Sequence, residues 1–183
     1  MNQNFSRKIF GAATMMFLAG AMTASAAHHT QTFSEQALKD MRAISVNAEK
    51  NADLLKTITS NPMYSPELQR QQLNALKYEF NTMGKKVALL EAQHDALPAW
   101  QQRAVEEMKP ALVDAAKNTD EAIRYFNANR THLFSMTNRE FSNNIATDAE
   151  KIAGVLSDSL RYNHARRVAD SLDQKLSTGN SSN

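Results

Sequence analysis

The residues best suited to chemistry lie near the start of the chain. Ala27-His28-His29 follows Ala24-Ser25-Ala26, and a cut after Ala26 frees the α-amine of Ala27. That amine, two backbone amides and the third-position imidazole of His29 make four nitrogens in a square, the donor set that Cu(II) and Ni(II) accept. The amide nitrogens lose their protons to the metal as it binds. Because this geometry is entirely local, it asks nothing of a fold. A cut one residue later moves His29 to second place and removes the site. The plainer reading is a polar leader with two incidental histidines.

Two other pairs carry ligand types. Glu91 and His94 stand in "EAQH". Glu-x-x-His spans one helical turn, the spacing by which ferritin-like bundles present two ligands to iron. Such centres need the motif twice and two more inward glutamates. Here Asn129 precedes His132 by three, and Arg161 precedes His164 by three, so the motif does not recur. His94 reads first as a polar seam residue near a helix C-terminus, where a cation is favoured. Met41 and His164 are the second pair, a methionine on the first helix and a histidine on the last, as in b-type haem bundles. His164 lies in "RYNHARR", beside an apolar stripe, and Met41 reads first as core. Without any cysteine, covalent haem attachment is excluded.

"RYNHARR" is the densest basic stretch, with Asp158, Asp170 and Asp173 around it. A solvated helix face laced with ion pairs is the default reading, with weak phosphate or acidic-partner contact as the alternative. Hydrolytic signatures are missing: the chain has no Gly-x-Ser-x-Gly elbow and no glycine-rich phosphate loop. The expected protein is not an enzyme.

Compartment follows from the first 26 residues. Arg7 and Lys8 precede the apolar run "IFGAATMMFLAGAM", and Ala24-Ser25-Ala26 closes it with small residues. That is the pattern of a cleaved secretory signal peptide. The run is shorter than the roughly 20 residues a bilayer span needs. The expected location is the bacterial periplasm or the medium. The whole chain carries 21 Lys+Arg against 19 Asp+Glu; removing residues 1–26 takes Arg7 and Lys8 and no acid, leaving 19 against 19. This balance gives no global pull toward nucleic acid or an anionic membrane. The mature chain of 157 residues suits one domain.

Few glycines and prolines, with abundant Ala, Leu, Lys, Glu and Gln, predict long helices. Four are expected, at about 34–59, 66–94, 98–129 and 137–176. A flexible leader over 27–33 precedes them and a disordered tail over 177–183 follows. Thr32 and Glu35 suggest a capping box for the first helix, and Thr137 with Glu140 for the fourth, where Met136 and Phe141 would staple. Ser65-Pro66 is a good start for the second. Leu73, Leu76, Phe80, Met83, Val87, Leu90, His94 and Leu97 keep a three-four spacing throughout. Met41, Ala48 and Leu55 mark the first seam; Val105, Met108, Leu112, Ala115, Ala122 and Phe126 mark the third. Pro110 is expected to kink or split the third helix. The fourth helix would bury Phe141, Ile145, Ala149, Ile152, Val155, Leu156, Leu160, Val168, Leu172 and Leu176, and as the longest it should overhang, bend or fray. Gly84 lies just off the second stripe, as a close-approach site or a weak point. Short connections make neighbouring helices antiparallel. The expected fold is all-α, an up-down-up-down four-helix bundle; a second arrangement pairs two helical hairpins across a homodimer. The expected role is interaction or scaffolding with a protein partner, the alternative being a small Cu-, Ni- or haem-binding protein.

If the cut follows Ala26, the exported chain has the mass of residues 27–183 and binds Cu(II) stoichiometrically. His29→Ala then abolishes that binding; retained affinity, or a chain starting at His28, removes the site.

Overall fold

The computed structural model describes residues 20–130 and 132–179, with side-chain surroundings for 32–130 and 132–178. The expected signal segment therefore falls mostly outside the described residues. The described chain is all-helical: α1 (Gly20–Ser60), α2 (Pro66–Glu91), α3 (Ala99–Ala128) and α4 (Met136–Gly179), with one 3-10 turn at His94–Ala96. None of these helices is long and apolar enough to cross a membrane.

α1 runs through 41 residues and begins at Gly20, well before the expected start at Ser34. Thr32 and Glu35 sit inside it and not at its start. The Ala-rich stretch before them contains no residue that breaks a helix, so helical bonding continues through it. For the same reason residues 27–33, expected as a flexible leader, are helical. α4 likewise continues over 177–179, which was expected as tail.

Ser65 caps α2 by accepting from the Leu68 amide at 3.3 Å, with Pro66 in the first turn. α2 stops at Glu91, short of the expected residue 94, and Leu97 turns extended before Pro98, as the proline ring demands. α3 passes through Pro110 unbroken. Pro110 is exposed, so the amide hydrogen bond it cannot make is missing on the wet side of the helix. α4 is not capped by Thr137. Ser135 Oγ accepts from the Asn138 amide at 3.2 Å and from the Tyr125 hydroxyl at 2.6 Å. Met136 is 81 % exposed and staples nothing; Phe141 meets Tyr125 edge-on, with centroids 6.1 Å apart.

The four helices touch in a ring, α1 with α2, α2 with α3, α3 with α4 and α4 with α1. Asp40 meets Lys86 at 2.9 Å and Asn51 meets Glu79 at 2.8 Å. Glu91 pairs with Lys109, and Lys77 with Asp120 at 2.8 Å. Asn118 donates to Asp148 at 3.3 Å. Glu35 meets Arg167 at 3.3 Å, and the Thr59 and Ser142 hydroxyls lie 2.8 Å apart. One core runs through the ring, with Leu38, Met41, Leu55, Leu73, Leu76, Phe80, Met83, Leu90, Met108, Ile145 and Ile152 almost fully buried. A Cβ built on Gly84 would have nothing within 4 Å, so this glycine is a weak point in α2 and not a close-approach site.

α4 departs most from expectation. Ile145, Ala149, Ile152 and Leu156 face the core, and Asn163 is buried, but Val168, Leu172 and Leu176 are 46, 53 and 70 % exposed. From Asn163 to Leu172 is nine residues, about 2.5 helical turns, which places Leu172 on the opposite face. The apolar stripe thus changes sides, and since every residue from His164 to Thr178 is exposed, the last third of α4 runs past the core, the overhang expected of the longest helix, with its aliphatic residues on the face opposite Asn163.

Phe80→Ala should cost about 3–5 kcal/mol of unfolding free energy, as removal of a buried ring does. Leu172→Ala should change it by less than about 0.5 kcal/mol. Denaturant titration of the two variants checks the contrast.

Candidate interaction surface

The reversed stripe is positioned by ion pairs on its other flank. Glu35 on α1 holds Lys39 at 2.7 Å and Arg167 of α4 at 3.3 Å. Lys39, then Arg167 and Asn163, hold the Glu35 carboxyl below its ordinary value of 4.5 despite partial burial. The Arg167 pair joins α4 to α1 just where the apolar face turns outward. Arg166 stands between two clefts. One, of about 390 Å³, lies against α1 at Glu35, Lys39, Asn163 and Arg167. The other, of about 380 Å³, lies between the start of α3 and α4 at Trp100, Arg103, Glu107, Asp158 and Tyr162. Trp100, 7 % exposed, has its indole N–H buried without an acceptor, and both amide atoms of fully buried Gln101 lack partners. Arg161 is tied to Asp158 at 2.5 Å. The basic stretch "RYNHARR" is therefore mostly a solvated, ion-paired face, with Asn163 alone buried.

The other candidate residues separate. Ala27, His28 and His29 lie within the span of α1, and their side chains fall outside the described residues. Glu91 ends α2 with its carboxylate on Lys109, whereas the two ring nitrogens of His94 face Asp95 and Glu106. Among the described residues no group of three or more His, Asp or Glu is placed to hold a metal ion. Met41 is buried in the core and His164 faces solvent, so the two do not share a site.

Two half-buried carboxylates escaped the sequence reading. Glu79 accepts from Asn51, but its second oxygen is buried without a partner, and burial raises its pKa above the ordinary 4.5. Burial likewise raises Asp148 above 3.8, against the hydrogen bond from Asn118, and the nearby Asp114 charge adds to the rise. Their positions are ordinary helix-face positions; only the depth to which the neighbouring helices bury them distinguishes them. In comparisons with known proteins, no family model, no curated protein and no solved structure matches the chain.

A carboxylate whose folded pKa is raised adds stability below its unfolded value and loses it as pH climbs through the folded one. Glu35 and Asp40, held low by Lys39 and Lys86, act in reverse and lose their contribution as the solution turns acid. Glu79→Gln should therefore gain stability over the parent at pH 7 and little at pH 3.5. Equal differences at both pH values, read by urea titration, would show the Glu79 carboxyl to be unperturbed.

Proposed function

We propose that this chain is an exported, non-catalytic, up-down-up-down four-helix bundle of the bacterial periplasm or medium. It works by laying the last third of α4 into an apolar groove of a partner protein. The carrying observation is the reversal of the α4 stripe. Fully burying a Leu or Val is worth about 1.5–3 kcal/mol, yet Val168, Leu172 and Leu176 all remain exposed. Aliphatic residues at successive fours on one helix face are the anchors of helix-in-groove recognition. Antiparallel order is supported by the cross-helix contacts. Partner numbers fall as α1 advances, from Asp40–Lys86 to Asn51–Glu79 and from Glu35–Arg167 to Thr59–Ser142. Export is supported by Arg7, Lys8, the apolar run after them and Ala24-Ser25-Ala26.

A photo-reactive residue at position 172, in the natively exported chain, should give an adduct of discrete mass. The same residue at exposed position 143 should not. With the photo-reactive residue kept at 172, changing Val168 and Leu176 together to Ser should abolish the adduct and leave thermal unfolding unchanged. Absence of an adduct at 172, or loss of the fold in the double variant, overturns the reading.

A further inference from the structure

We propose that His94 is a pH-sensitive clasp that fastens the α2–α3 turn to the body of α3. The imidazole lies between two carboxylates of different parts of the chain. Nε2 is 3.2 Å from Glu106 Oε1 on α3, and Nδ1 is 3.4 Å from Asp95 Oδ1 in the turn itself. A neutral imidazole has one N–H to give, and its other nitrogen presents a lone pair. With a carboxylate facing each nitrogen, the neutral ring must aim that lone pair at a negative oxygen. The imidazolium alone donates to both sides. The charged groups facing the ring are Glu106 and Asp95. Beside them, Glu91 at the end of α2 and Lys109 on α3 are paired with each other, so neither replaces the histidine.

The rest of the turn is tied by groups that do not titrate. Gln102 Nε2 donates to the carbonyls of His94 and Leu97, both at 3.0 Å, and the Leu97 amide returns to the His94 carbonyl at 3.0 Å. The turn therefore stays formed when His94 loses its proton, but the neutral ring keeps a single N–H, so its charge-assisted tie to Glu106 weakens to at most one neutral hydrogen bond. α3 begins at Ala99, and Trp100 in its first turn lines the cleft against α4. The clasp thus links proton concentration to the seating of that cleft wall. Glu106 and then Asp95 raise the histidine above its ordinary 6.5. The clasp is therefore complete below pH 6.5 and lost as pH rises through the raised value.

The test uses the full chain, with the His94 ring signals assigned by comparison with His94→Gln. The His94 titration midpoint should lie above 6.5 and fall in Glu106→Gln. Across that midpoint, with intrinsic exchange rates divided out, the amide hydrogens of Leu97 and Gln102 should exchange several-fold faster on the alkaline side. Trp100 emission should step at the same pH. His94→Lys, charged throughout, should keep the slow exchange and lose the step. A His94 midpoint that Glu106→Gln leaves in place, or exchange that stays flat through the midpoint, overturns the clasp. A copper or partner-binding result, positive or negative, does not bear on it.

Discussion

Everything in this molecule follows from the need of four amphipathic helices to keep their apolar stripes on one shared interior. Phe80, Met83, Met108, Ile145 and Ile152 are almost fully buried because each lies on such a stripe. No strand among the described residues and no disulfide supplements this packing. A helix that leaves the arrangement must therefore find its own reason to be there. α4 does leave it, beyond Asn163, and the Glu35–Arg167 pair marks the place. Before that pair the helix serves the core; after it, every residue to Thr178 is exposed.

Polar groups inside the ring are mostly handled locally. Thr119 gives its hydroxyl proton to the Ala115 carbonyl one turn back at 2.7 Å, and Ser45 to Arg42 at 2.9 Å. Such bonds satisfy a buried hydroxyl without specifying a neighbour. Thr59 and Ser142 do more, since one hydroxyl donates to the other across α1 and α4 while the acceptor keeps its own proton for a carbonyl of its own helix. Gln101 and Trp100 stand apart, with buried donors and no acceptors. Both sit where α3 starts without a side-chain cap. Two of the residues with unpartnered buried polar atoms thus lie beside the turn that His94 fastens, while Arg42, Gln69, Gln72 and Glu79 lie elsewhere in the bundle.

Much of the fold is legible in the sequence because the signal is repetitive. The three-four spacing from Leu73 to Leu90 repeats often enough to define a buried face, and every residue of it is buried. The third seam reads equally well, from Val105 to Phe126. What fails is what depends on a single residue or on the direction of a face. Thr137 and Glu140 match a capping pattern, yet Ser135 takes the amide because Tyr125 fixes its hydroxyl. His94 continues the stripe in letters, but the helix has already ended at Glu91, so the ring swings toward Glu106. Val168, Leu172 and Leu176 are apolar and evenly spaced, and nothing in their types says which side they face. The gap between Leu160 and Val168 was the available clue: eight residues advance a helix by more than two turns, enough to leave the original seam. The half-buried Glu79 and Asp148 were illegible for a related reason, since depth is a property of neighbours.

Pro110 adds a mechanical consequence. A proline leaves the carbonyl four residues earlier without its helical partner, and here that residue is Glu106, the one His94 faces across the turn. The backbone is thus softest directly beneath the point where the turn pulls on it. Bending of α3 is therefore easiest at this water-facing point, ahead of the seam from Leu112 to Phe126.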